Sequence, residues 1–257
     1  MMKKLLISIL GCALVTLASS QIFAGDKGIV VVAGATGRTG RLVVKHLIAE
    51  GYAVRAMVRS QEKGKQVLGE DITMVRADVT EPSTLPSLLA GADFMISAIG
   101  VSGRGEARPE DVDYGGSISL IDAAQSAGIK KFVMVSSGGV TWWTHPINWF
   151  SGGVLKWKRK AEVYLRQSGL THVIVRPNGG LSDDPANVNK IVFTQKDGFP
   201  SSSISREDVA IVCVKSLAYK EADNKTFEIL NGGDGSVAGS VDWEKTFGAM
   251  VEQSDNF

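Results

Sequence analysis

The chain has 257 residues, 44% hydrophobic and 21% charged, an ordinary balance for a globular protein long enough to bury a large core. A net charge of +1 supplies no global field to recruit nucleic acid. Two cysteines, Cys12 and Cys213, and three scattered histidines, His46, His145 and His172, exclude a metal cluster of recognisable spacing.

The first 24 residues differ from the rest. Lys3 and Lys4 form a basic start, residues 5–18 an apolar run too short to span a bilayer comfortably, and residues 19–24 a small-residue exit ending at Ala24. This order predicts a signal peptide over residues 1–24 and one domain over 25–257, with an uncleaved anchor or a disordered leader as alternatives. Cys12 follows Gly11, but Leu10 and the continuing apolar run do not fit a lipidation box. Cleavage after Ala24 would leave Cys213 as the only cysteine, an exported (periplasmic or secreted) protein and no membrane span. Without cleavage the protein is cytoplasmic or membrane-anchored.

The chain is organised around residues 28–52. Residues 29–33 form an apolar run that reads as a buried parallel strand. Gly34, Gly37 and Gly40 follow, then an amphipathic helix over residues 39–50. Strand, glycine turn and helix in that order are the context of a dinucleotide-binding motif. Gly34 permits the tight exit, Gly37 leaves bare backbone beside a pyrophosphate, and Gly40 lets the helix pack closely. Thr36, Arg38 and Thr39 complete the turn, and the phosphates would sit at the helix N-terminus. Dinucleotides are cytosolic currency, so an exported protein must obtain its cofactor another way, and two lysines are not a twin-arginine signal.

A second strand over residues 53–58 ends at Arg59 and Ser60, where ligands sit in open α/β sheets. An NAD site would place Asp or Glu there. Arg59, with Lys63 nearby, instead predicts NADP through pairing with a 2′-phosphate, against solvated surface arginines. Arg38 is a second candidate cation. Residues 72–75 form a third strand, followed by Asp78 at the adenine edge or in a solvated turn. A short helix spans 84–90. The fourth strand, 94–98, leads into Ser97, Ala98, Ile99 and Gly100, small enough for a ribose or nicotinamide to approach. Residues 101–109 read as a mobile loop, 113–127 as a helix, and 131–135 as a fifth strand ending at Ser136 and Ser137. Five strand–helix alternations in about 110 residues predict a doubly wound parallel sheet of Rossmann type.

Substrate-side elements follow in the same domain. Residues 137–153 form a long connection carrying Trp142, Trp143, His145, Trp149 and Phe150, either pinned to the core by its rings or walling a pocket. A helix spans 154–168 and a sixth strand 171–175. Arg176 to Gly180, including Pro177, read as a turn near the cofactor's far end. Ser205 and Asp208 read as a capping box for a helix over 206–219. A last strand spans 227–230, and Asp242 caps a final helix.

Taken together the chain resembles the atypical short-chain dehydrogenase/reductases, in the group with NmrA-like proteins and the flavin reductase/biliverdin-IXβ reductase type. The resemblance runs from about Gly28 to Phe247. It rests on GATGRTG at 34–40, VRS at 58–60, VSS at 135–137, the stretch from Trp157 to Pro177, and SREDVA at 205–210. It implies NADP(H) binding and, for Lys158, contact with the nicotinamide ribose, against an exposed helix lysine. The pattern departs at one place. Members with full dehydrogenase chemistry carry Tyr-x-x-x-Lys; registered on Lys158, the tyrosine position holds Val154, and Tyr164 lies at the wrong spacing. Val cannot donate a proton. Two function classes are therefore expected: an NADP(H)-dependent reductase of a small planar acceptor such as a flavin or quinone-like ring, with Ser136 or His145 assisting protonation, or a non-catalytic NADP-binding regulatory or assembly protein, as some NmrA-like relatives are.

Overall fold

A computed structural model describes residues 27–101, 107–142, 144–196 and 203–253. The expected leader at 1–24, the centre of the expected mobile loop (102–106) and Trp143 lie outside the described residues.

Eight strands form one sheet in the order β3-β2-β1-β4-β5-β6-β10-β8. β1 (Ile29–Ala33), β2 (Ala53–Val58), β3 (Thr73–Arg76), β4 (Phe94–Ser97), β5 (Lys131–Val135) and β6 (His172–Pro177) run parallel. β10 (Lys225–Asn231) continues parallel to β6, and β8 (Ile191–Thr194) closes the edge antiparallel to it. β7 (Gly180–Ser182) and β9 (Ser203–Ser205) pair separately beyond the strand ends. The doubly wound sheet expected from sequence is the observed fold. β7, β8 and β9 were not legible as strands.

Helices cover both faces. One face buries Val43, Val44 and Leu47 of α1 (Gly40–Ala49) with Val209, Val212 and Cys213 of α7 (Arg206–Ala218) and Phe247 of α8 (Trp243–Gly248). The other buries Leu85, Leu88 and Leu89 of α3 (Leu85–Leu89), Leu120 and Ile121 of α4 (Ser117–Ser126), and Ala161 and Leu165 of α6 (Val154–Gln167). Strands buried on both sides explain the continuous apolar runs at 29–33 and 132–135. α2 (Gln61–Leu68) escaped the sequence reading because its run is polar, with only Gly64 buried. A four-residue helix, α5 (Ile147–Phe150), interrupts the expected long connection.

Two local expectations are corrected. Residues 113–127 are not one regular helix: residues Glu110–Gly116 wind as a π-helix before α4 begins. The Ser205 cap is present, its hydroxyl accepting from the Glu207 and Asp208 amides, but the reciprocal half of the box is not. The Ser205 amide donates instead to Asn231 Oδ1, and Asn231 Nδ2 donates to Asp208 Oδ2.

Candidate functional site

The glycine turn leaves β1 at the carboxyl end of the sheet, where β1 lies between β2 and β4. Gly34 has φ +77°, and a Cβ there would lie 2.6 Å from the Ala98 carbonyl oxygen. The turn after β1 is therefore pressed against Ser97–Gly100 after β4, which needs glycine at that point. A Cβ on Gly40 would lie 2.1 Å from the Gly34 carbonyl oxygen, so α1 folds back directly onto the turn. Gly37 is different: it is exposed, and a Cβ there would meet only the Gly34 oxygen, at 3.1 Å. Thr39 caps α1 without a side-chain hydrogen bond. Thr36 and Thr39 are half-buried beside it. The exposed backbone at Gly37, tight only against the Gly34 oxygen, and a helix start without a side-chain cap fit a pyrophosphate.

Arg38 reaches the other way. Its guanidinium pairs with Asp183, which also takes Arg206 at 2.9 Å. Arg59 has no ion-pair or hydrogen-bond partner among the described residues. It lines a cleft of about 200 Å³ with Arg76, Ala77, Asp78, Glu81 and Thr84. Arg76 ends β3 opposite Val58, so two guanidinium groups stand at adjacent strand ends. Arg76 was missed in the sequence because its strand reads as ending one residue earlier. Asp78 folds an Asx turn, its Oδ1 accepting from the Thr80 amide and hydroxyl. Ser60 caps α2, accepting from the Lys63 amide.

Further across the sheet, Ser97 is buried and the Ala98 amide closes onto β1 through the Ala33 carbonyl. Ile99 packs against the core. Lys158 reaches this corner from α6. Its Nζ lies 2.8 Å from Asp113 Oδ1, beside Gly100, and Asp113 Oδ2 accepts from the Val101 amide. Asp113 belongs to the π-helical turn, and such turns recur at functional sites. Sequence pattern alone did not single out Asp113.

Ser136 is buried at the end of β5, and its Oγ has no hydrogen-bond partner among the described residues. The same holds for Asn178 Oδ1, just after Pro177 at the end of β6. A Cβ on Gly138 would lie 2.8 Å from that oxygen, so the β5 and β6 exits converge. Two buried polar atoms without partners need an explanation, and a polar ligand over these exits supplies one. His145 stands on the loop above. Its Nδ1 accepts from the Ile147 amide at 3.2 Å, which leaves the neutral ring's proton on Nε2. Its Cδ2 would lie 3.1 Å from a Cβ on Gly139, and its ring packs edge-on against Trp142 at 4.7 Å.

Arg176 is not in a turn. It lies within β6, fully buried, with two bonds to Glu162 at 2.9 and 2.6 Å and one to Glu228 at 2.9 Å. Only Asn178 and Gly179 connect β6 to β7. Tyr164 is also away from the site. Its hydroxyl donates to Asp122 Oδ1 at 2.7 Å, and that carboxylate raises its pKa. Cys213 is buried in α7, its thiol pushed up to about 12 by burial, and is chemically inert. A larger cleft of about 330 Å³ opens at the opposite edge, lined by residues including Thr171, His172 and Asn224 at the amino ends of β6 and β10.

Glycine turn, crossover between β1 and β4, and polar strand exits define a dinucleotide-binding protein with the fold of an atypical short-chain dehydrogenase/reductase. The chain belongs to the NAD(P)H-binding family, whose pattern matches residues 34–220. It is 39% identical over 215 residues to an uncharacterised chloroplast protein of Arabidopsis thaliana, covering 78% of this chain and 76% of that one. It is 32% identical over 263 residues to sanguinarine reductase of Eschscholzia californica, covering 86% and 96%. Among solved structures, a Bacillus halodurans protein assigned to the NAD-dependent epimerase/dehydratases superposes with a TM-score of 0.74 and 30% identity, over 86% of this chain and 99% of that one. No helix among the described residues is long and apolar enough to cross a membrane.

Proposed function

We propose that the protein is an NADP(H)-dependent reductase that delivers hydride to a small planar conjugated acceptor, a flavin or quinone-like ring. The carrying observation is the half-buried Val154 at the first turn of α6, where a ketone reductase of this type would hold its proton-donating tyrosine. A ketone needs acid as alkoxide forms; a delocalised ring accepts hydride and takes its proton later from solvent.

NADPH, when bound, supplies the hydride. Gly34, Gly37 and Gly40 shape the turn that takes the pyrophosphate, and Arg59 with Arg76 pairs the 2′-phosphate. Ser97, Ala98, Ile99 and Gly100 admit the nicotinamide half, with Lys158 beside them. Ser136 Oγ and Asn178 Oδ1 meet polar atoms over the β5 and β6 exits, and His145 Nε2–H stands as a proton donor at the rim. A relative named as a reductase supports this reading.

The test is NADPH oxidation with flavin and quinone acceptors against aliphatic ketones. Turnover is expected with the first group and almost none with the second. A second reading, an NADP-binding regulatory or assembly protein of NmrA-like type, is favoured by one observation: Lys158 is already ion-paired to Asp113. Tight NADPH binding with no turnover on any planar acceptor would establish it. For location we propose export with removal of residues 1–24, which intact-mass measurement of the protein from its native host decides.

A further inference from the structure

The loop and helix beyond β5 carry a surface that hydride transfer does not use. Trp149 and Phe150 on α5 are 76% and 88% exposed, and Ile147 is 45% exposed beside them. Among the described residues no other aromatic stands so far out of the fold. The helix that follows is basic. Lys156 and Lys160 are exposed and bracket Trp157, 4.7 and 4.6 Å from its ring centre. Asn148 Oδ1 accepts from the Leu155 amide, tying α5 to the start of α6, so the apolar tip and the lysines form one hairpin.

Its composition is one-sided. Between Asp122 and Glu162 the chain has no Asp or Glu, and four of its five tryptophans fall there. Lys158 is spent on Asp113, and Arg159 faces Glu162. Lys156 and Lys160 have no carboxylate partner among the described residues. An acidic turn packs beside the hairpin: Gly152 sits on Pro109, Asp111 is paired to Arg108, and Glu110 is exposed.

We propose that this hairpin docks on an anionic lipid bilayer. Trp149 and Phe150 enter the headgroup boundary, and Lys156 and Lys160 pair with lipid phosphates. Exposed tryptophan and phenylalanine are costly in water and favoured at that boundary, where one side is apolar and the other wet. Lysines beside them are attracted by the negative surface potential. A protein partner would have to offer carboxylates to the lysines and a pocket to the rings. The inference is independent of the acceptor chemistry.

The test uses the proposed mature chain, residues 25–257, with vesicles of phosphatidylcholine alone or mixed with phosphatidylglycerol, some carrying acyl-brominated lipid that quenches nearby tryptophan. Quenching in anionic vesicles is expected, with most of it lost in Trp149→Phe. Trp149→Ser with Phe150→Ser should weaken the anionic-vesicle partition coefficient roughly tenfold to hundredfold. Lys156→Gln with Lys160→Gln should weaken it roughly tenfold or more on anionic vesicles and leave neutral vesicles unaffected. Retained NADPH binding confirms that each variant folds. Equal quenching in wild type and Trp149→Phe, or equal partitioning of wild type and both double variants, would overturn the proposal. So would light scattering that shows a dimer lost in the Trp149/Phe150 variant without any vesicle binding.

Discussion

Lys158 of α6 holds Asp113 of the π-helical turn at 2.8 Å, and the Asp113 side chain is fully buried. The pair joins α6 to the turn beside Gly100 and Val101, where Asp113 Oδ2 accepts a hydrogen bond from the Val101 amide. Lysine and carboxylate thus share one corner with the cofactor's expected nicotinamide ribose. Lys158 neutralises a buried acid there, and that role can be separated from the proposed one of offering donors to the cofactor.

Lys158→Met strands the buried Asp113 carboxylate. A loss of about 3–5 kcal/mol in urea-unfolding stability is expected. Adding Asp113→Asn should recover most of that stability. NADPH affinity should stay roughly tenfold to a hundredfold weaker in the double variant, because a charge-assisted bond to the ribose is still missing. Affinity that returns together with stability would make Lys158 purely structural.

The proposed preference for NADPH rests on Arg59. Arg59→Ala should weaken NADPH by roughly ten- to a hundredfold and NADH little, as expected for a lost phosphate pairing of about 1.5–3 kcal/mol. Arg76→Ala should act in the same direction, since both guanidinium groups line one cleft. Titrations of both cofactors against wild type and each variant measure this. Equal losses for NADPH and NADH would remove the 2′-phosphate assignment.

Activity should not depend on a tyrosine. Tyr164→Phe should leave turnover within about twofold, whereas loss of a true general acid costs roughly 10²–10⁴. The Tyr164 hydroxyl is committed to Asp122 on α4, which agrees with that expectation. Val154→Tyr places a phenol four residues before Lys158 and is expected to create measurable ketone reduction. A hundredfold loss in Tyr164→Phe, with NADPH binding intact, would show that the register on Lys158 is wrong.

Asp208 gives a pH signature. Burial raises its pKa above the ordinary carboxylate value, partly opposed by Asn231. The folded state therefore holds the proton more tightly than the unfolded chain. Below the unfolded pKa of about 3.9 burial carries no charge penalty, and the penalty appears as pH rises through the folded value. Asp208→Asn should therefore gain stability relative to wild type as pH rises from about 4 to 7, followed by thermal melts across that range. A constant difference would mean that Asp208 titrates as it does in the unfolded chain.

The dinucleotide site was legible where chemistry is local. Gly34, Gly37 and Gly40 lie within seven residues, and a strand that must exit tightly into a helix constrains each of them through its own backbone. Arg59 was legible because a strand end places it. Arg38 and Arg176 were not, since a charge pattern does not say where its counter-charge lies. Asp183 is 145 residues from Arg38, and Glu228 is 52 residues from Arg176. Edge strand β8 was hidden for a related reason: it is antiparallel and half-buried, so its apolar run is short and lacks a following helix.

By itself the sequence determined the strand–turn–helix order and the parallel sheet, because each follows from short-range sterics and periodicity, whereas valine at 154 in a tyrosine's place is what the family resemblance implies. Only tertiary structure decided that Asp113 neutralises Lys158, that Arg76 joins Arg59, and that Trp149 and Phe150 point out of the fold while their neighbours pack. Those outcomes depend on which distant segments share a strand end or a helix face, and burial and charge pairing are settled only when the chain has closed on itself.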